Sequence, residues 1–184
     1  MKELIQEKLD DTRYHHSLCV ADSAKQLASR YGAESEQAYL AGLLHDCLKC
    51  ASEAEQRAVI ARAGVTLHPC ESGNPNLLHA IAGEAFLRSE SIVSDPAVLS
   101  AVRWHTTGRA DMATLEKIVY LADFISYDRD YPDVETVRRL AAQSLDDAIL
   151  YTLRFNIPRL IVRERMIHPA SIELYNHLLK GSLL

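Results

Sequence analysis

The chain has 184 residues, 48% of them hydrophobic and 24% charged, the size and balance of one soluble domain with a sizeable core. A net charge of −5 with pI near 5.9 argues against a basic nucleic-acid-binding surface, and no apolar run approaches the ~20 residues needed to span a bilayer. Four cysteines in so long a chain are no disulfide scaffold, and the start of the chain, Met1 to Lys8, carries no signal-type apolar segment. A cytoplasmic protein that binds neither nucleic acid nor membrane is therefore expected.

Periodicity is helical nearly everywhere, with no repeat and no Pro/Gly-rich linker, so a single all-α domain is expected. A short helix over Lys2 to Leu9 comes first. Asp10, Asp11 or Thr12 can cap the next helix, which runs to Tyr31 and stops at Gly32. His16, Val20, Ala24 and Leu27 share one face of it, so His16 points inward, whereas His15 falls with Cys19, Asp22 and Gln26. A third helix from Glu36 ends near Leu44, just before His45-Asp46. Burying an ionised carboxylate there is costly unless it is paired or bound to a metal.

Ser52 with Glu55 forms a capping-box pattern for a helix to Ala63, closed by Gly64. Val65 to Gly73 reads as loop, with His68 a loop residue. Asn74-Pro75 and Asp95-Pro96 each place a cap before proline at the first helical position. The first of these helices carries His79 one turn in, beside small residues, and the second ends at Trp104-His105. Thr106-Thr107-Gly108-Arg109 follows as a small polar turn with one cation. On the helix from Ala113 to Ile125, Leu115, Val119 and Asp123 recur at i, i+4 and i+8, a second aspartate on an apolar face. A polar loop, Tyr127 to Pro132, precedes a helix capped by Asp133 and reaching Ala142. Ser144 starts a long helix towards Arg165 that Pro158 should kink. The last helix follows His168-Pro169 and ends near Gly181, with His177 on its surface.

Each of these histidines and aspartates has an ordinary explanation when taken singly: a satisfied core histidine, or a solvated helix end. Together, four histidines and two aspartates occupy core-facing or end-of-helix positions on five helices. Helical bundles build metal sites in this way. Six ligands exceed one open catalytic zinc and suit two ions, and nitrogen and oxygen donors without thiolate favour iron, manganese or another first-row metal. Cys47 and Cys50 form a lone Cys-x-x-Cys with no second pair, read as incidental.

The order His16, His45-Asp46, His79, His105, Asp123 resembles the HD-domain metal-dependent phosphohydrolase superfamily in its two-metal form. More closely, Arg13 to Ser17, Leu43 to Asp46 with Lys49, Leu77-Leu78-His79, His105 to Gly108, Ile118 to Asp123, Arg129 to Pro132 and Ile167 to Pro169 resemble the bacterial YqeK-type symmetrical bis(5'-nucleosyl)-tetraphosphatases over nearly the whole chain. The departures, Cys19, Cys47 and Ala80-Ile81-Ala82, touch no proposed ligand. The resemblance implies one HD domain over residues 1–184, with a metal-binding core at about 12–127 and C-terminal helices at about 133–181 packed on it. It implies cleavage of diadenosine tetraphosphate to two ADP by a metal-bound hydroxide that attacks an inner phosphorus. His16, His45, Asp46 and Asp123 would hold a first metal, Asp46 would bridge, and His79 and His105 would hold the second. Lys49 would meet phosphate oxygens, Thr106, Thr107 and Gly108 could donate hydrogen bonds, and Arg109 or Arg129 could neutralise charge. Nucleotide ligands such as ADP or GDP are the expected partners, and a homodimer is left open. Three other readings stand beside this one: another HD-type nucleotide phosphohydrolase, a non-catalytic nucleotide sensor, and a di-iron oxygenase. His168 either orders the last helix or lines the nucleotide pocket.

Overall fold

Helix caps divide the chain much as its sequence suggests. The computed structural model describes residues 1–182, and among them eleven helices and no strand. After α1 (Lys2–Lys8), the Asp10 carboxylate accepts from the Arg13 N–H at 2.8 Å and starts α2 (Asp11–Tyr31), which Gly32 closes at φ +67°. Next come α3 (Ser35–Leu44) and α4 (Glu53–Arg62), the latter opened by a reciprocal Ser52–Glu55 box. Asn74 and Asp95 cap α6 (Pro75–Ser89) and α7 (Pro96–Trp104), with proline at the start of each. α8 (Thr114–Ile125), α9 (Val134–Ala141), α10 (Leu145–Val162) and α11 (Pro169–Ser182) complete the chain.

The differences from expectation are local. The segment 65–73 is not all loop: it holds one helical turn, α5 (Pro69–Ser72). The His68 side chain and the Glu71 carboxylate cap it reciprocally, so histidine does the work that Ser or Thr usually does. Asp133 precedes α9 without a side-chain cap bond. α10 continues through Pro158 and stops at Val162, short of Arg165. α11 runs through Gly181 to Ser182, the last described residue.

α2 is the central strut, packed against α3 and α8; α7 packs against α3, α6 and α8. Val20, Leu43, Leu44, Ile81, Val102 and Val119 fill the space between these helices and are essentially inaccessible. Each such side chain contributes about 1.5–3 kcal/mol relative to exposure. α2 and α3 approach closely at Gly42, where a Cβ would lie 2.9 Å from the Cα of Ala21. α10 lies on α8 and α9, and α11 on α10. Among the described residues no helix is long and apolar enough to cross a membrane.

Candidate metal centre

Five core helices deliver four histidines and two aspartates to one point. His16 comes from the buried face of α2, while His15 beside it is exposed. His45 and His105 are the residues immediately after α3 and α7. Each ring donates from Nδ1 to the carbonyl three residues earlier, His45 to Gly42 and His105 to Val102, both at 2.7 Å. Those carbonyls lie in the last turn of a helix and lack the usual intrahelical partner. One hydrogen bond therefore both finishes the helix and turns Nε2 inward.

The inward atoms meet around the two carboxylates. His79 Nε2 lies 3.0 Å from Asp46 Oδ1 and 3.2 Å from His105 Nε2, and His105 Nε2 is 3.6 Å from the same oxygen. His45 Nε2 is 3.5 Å from Asp46 Oδ2 and 3.9 Å from Asp123 Oδ1. His16 Nε2 is 2.9 Å from Asp123 Oδ1, and His16 Nδ1 is 2.7 Å from Asp128 Oδ2. Arg129 binds the Asp123 carboxylate through Nη2 and the Asp123 carbonyl through Nε at 2.6 Å.

Burial and charge set the protonation of these groups. Burial pushes His45 and His79 down to about 4, against the pull of Asp46, so both rings are neutral at pH 7. Burial opposes protonation of His16 as well, but the carboxylates of Asp123 and Asp128 outweigh it and raise this ring. For Asp46 and Asp123 burial favours the neutral acid. The neighbouring histidines, and Arg129 at Asp123, reverse that and hold both carboxyls below the usual range. Burial lowers the ammonium of Lys49, which sits 3.3 Å from both ring nitrogens of His79.

These residues fit a cation. Two triads, His16–His45–Asp123 and His45–Asp46–His105, each bring three ligand-type atoms within 4.8 Å of one another, and they share His45. The shared Nε2 is fully buried and has no hydrogen-bond partner. A buried imidazole lone pair facing two carboxylates is costly as it stands and suited to a divalent ion. Only nitrogen and oxygen donors are present, which favours a first-row metal over a thiolate-type structural zinc site.

The other expected site residues fall into three groups. Lys49 and Arg129 touch the cluster. Thr106 and Thr107 line a cavity of about 730 Å³ beyond His105. Arg109 is held elsewhere: its guanidinium grips the buried Glu116 carboxylate at 2.9 and 3.0 Å and lies over Trp104. The Gly108 N–H goes to the Trp104 carbonyl at 2.8 Å. The role of Gly108 is conformational, with φ +61° and a Cβ that would meet Leu174 at 2.4 Å. A second cavity, about 640 Å³, opens at Asp123 and Arg129 and carries Phe124, Tyr131 and Phe155.

Two residues at the centre are not apparent from the sequence. Arg13 reaches Asp46 Oδ2 with Nη1 at 3.4 Å, and Asp128 orients His16. The signal for Arg13 is its position one turn before His16 on α2. Asp128 has only its place in a polar loop, and nothing in the spacing ties that loop to α2. His168 orders the last helix, as one of the two expectations has it. Its Nδ1 accepts from the Ala170 N–H at 3.1 Å, ordering the start of α11, and it lines the larger cavity.

A buried His–Asp cluster on the helices of an all-α bundle defines a class, and comparison with known proteins agrees. The HD domain family model matches residues 13–128, and the chain belongs to that family. Within it the likeness narrows. The chain is 35% identical, over 97% of its length and 95% of the relative's, to a Bacillus subtilis protein named bis(5'-nucleosyl)-tetraphosphatase, symmetrical. A Halalkalibacterium halodurans protein of the same name is 38% identical over 96% of this chain and 94% of its own. A crystal structure from Clostridium acetobutylicum, described as a predicted HD superfamily hydrolase involved in NAD metabolism, superposes with a TM-score of 0.94 at 34% identity. It covers 98% of this chain and 95% of that one.

Proposed function

We propose that the protein is a metal-dependent hydrolase that cleaves dinucleoside tetraphosphates symmetrically, diadenosine tetraphosphate to two ADP. The orphaned, buried Nε2 of His45, shared by two metal-capable triads, carries this reading, and the names of the full-length relatives supply the substrate class. His16, His45, Asp46 and Asp123 would hold one divalent ion and His79 and His105 would hold a second, with Asp46 shared. The donor set favours iron, with manganese or another first-row metal as the substitute. Residues 12–127 form the metal-binding core, and the helices of 133–181 complete the substrate pocket.

Bound divalent cations supply a hydroxide-strength nucleophile at neutral pH and neutralise phosphate oxygens. The chain does the rest. His45 and His105 hold their inward nitrogens in place through the Gly42 and Val102 carbonyls. Asp128 fixes the ring of His16. Lys49 beside His79, Arg13 near Asp46 and Arg129 near Asp123 surround the cluster with cations that meet the tetraphosphate. As water oxygen bonds to one inner phosphorus, the anhydride bond between the two inner phosphates breaks. The departing nucleoside diphosphate carries its charge away against these cations and needs no strong acid.

Product analysis tests the reading. Protein reloaded with ferrous iron without oxygen is incubated with diadenosine tetraphosphate, and the products are separated by chromatography. ADP as the sole product is expected. AMP plus ATP would overturn the cleavage position, and no turnover with metal confirmed bound would move the assignment to another HD-type nucleotide phosphohydrolase or to a nucleotide sensor.

A further inference from the structure

The larger cavity is not needed to build the metal cluster, yet it begins where the cluster ends. Its floor includes Thr106 and Thr107, directly after His105, and Leu77, two residues before His79. The smaller cavity begins at the opposite end, at Asp123 and Arg129. Asn156 and Arg159 of α10 line both, so the two cavities adjoin along that helix. At about 640 and 730 Å³, each falls within the roughly 300–1,000 Å³ usual for a ligand site.

The two linings differ in charge. The smaller cavity combines three aromatic rings with the carboxylates of Asp123, Asp128, Asp130 and Asp133. The larger one has Arg159, Arg163 and Arg165 and no carboxylate in its lining. None of these three arginines forms an ion pair among the described residues, whereas Arg13, Arg103, Arg109 and Arg129 all do. Unpaired guanidinium groups gathered around one cavity favour an anionic occupant. His168, 9% exposed, also lines the larger cavity. Its Nδ1 accepts from the Ala170 N–H, so the neutral ring carries its proton on Nε2. That Nε2 is buried without a hydrogen-bond partner; Glu71 Oε1 lies 3.4 Å away without hydrogen-bond alignment.

We propose that this arginine-lined cavity seats the second nucleoside diphosphate half of the substrate, while the aromatic cavity at Asp123 seats the first. The inference rests on the hydrolase reading and extends it. A substrate made of two identical halves is cut in the middle because the cluster lies between two seats, each sized for one half. Arg159, on the lining of both, meets the phosphates that join them. Arg163 and Arg165 belong to the second seat alone.

The test is calorimetric titration of the metal-loaded protein with ADP, beside the same titration of an R163A/R165A double variant. Both arginines are exposed, so the variant should melt with the wild type. Two ADP per chain in the wild type and one in the variant is the expected result. A single ADP in the wild type, or two retained in the variant, overturns the second seat. Turnover of diadenosine tetraphosphate is followed in parallel, and the variant should raise KM by about tenfold or more with kcat within about twofold. An unchanged KM would also overturn the proposal. Failure of the hydrolase reading has a different signature, the absence of ADP release from the dinucleotide by the wild type, while the ADP stoichiometry still judges the cavity.

Discussion

The two ends of the cluster are built differently. At one end the side chains of Asp46, His79 and His105 are 4%, 2% and 1% exposed. At the other, Asp123 is 22% exposed and opens onto a cavity. The closed end is oriented by backbone, through the Val102 carbonyl on His105. The open end is oriented by other ionic side chains, Asp128 on His16 and Arg129 on Asp123. Backbone contacts cost the molecule nothing beyond its folding, and they suit groups that must never move. Side-chain contacts in partial solvent can be rearranged, and they suit the less buried end. The difference assigns permanence to one set of side chains and adaptability to the other.

The comparison can be tested hardest at the closed end. Asp46→Ala removes the carboxylate that three histidine rings surround, and turnover should fall by ~10³-fold or more. Circular dichroism should still show the helical fold, and elemental analysis should show loss of metal. Near-normal turnover would sink the two-metal account. At the open end Asp128→Ala should be milder, lowering metal affinity or kcat by about 10–100-fold, the usual cost of losing the partner that orients a ligand. Asp128→Asn, which keeps an acceptor for the His16 ring, should recover part of the loss. An alanine variant indistinguishable from wild type would show that the ring of His16 holds itself.

Two further effects sharpen the picture through stability. Gly108→Ala places a Cβ at φ +61° against Leu174 and should cost about 1–2 kcal/mol in unfolding free energy, read by denaturant titration. The other effect concerns pH in the metal-free protein. His45 and His79 sit near 4 when folded and near 6.5 when unfolded. Between those values the unfolded chain binds more protons, so stability should decline as pH falls from about 6.5 towards 4 and be fully present above it. The melting temperature followed over that range should drop, and less so for a His79→Gln variant. A flat profile would mean that the rings are less isolated from water than their burial implies.

Much of this arrangement is legible in the sequence because it violates a sequence rule. Asp123 on the same helical face as Leu115 and Val119, and His16 in line with Val20 and Ala24, stand out since burial of such groups is costly without a reason. His16, His45, Asp46, His79, His105 and Asp123 all meet in the structure, and His15 is exposed. The caps at Asp10, Ser52, Asn74 and Asp95 are equally legible, because they act within four residues of themselves. What escapes the sequence depends on distant approach. Asp128 reaches His16 across 112 positions, and Arg13 reaches Asp46 across 33; both are ordinary polar residues until the helices pack. Arg109 looks available for phosphate until the buried Glu116, whose carboxylate also takes the Ala113 N–H and the Ser100 hydroxyl, claims it. The cavities exist only once α10 is laid across α8.

Gly42 has a reach beyond its size. Its bare Cα lets α2 and α3 come together, and its carbonyl holds the ring of His45. The spacing between the rings of His16 and His45, 5.3 Å between centroids, and the bearing of one of them therefore share a single residue as their gauge. A methyl group there would act as a shim, spreading the two helices and rotating a donor in the same motion. The jaw width of the centre is written into the one position on α3 that has no side chain.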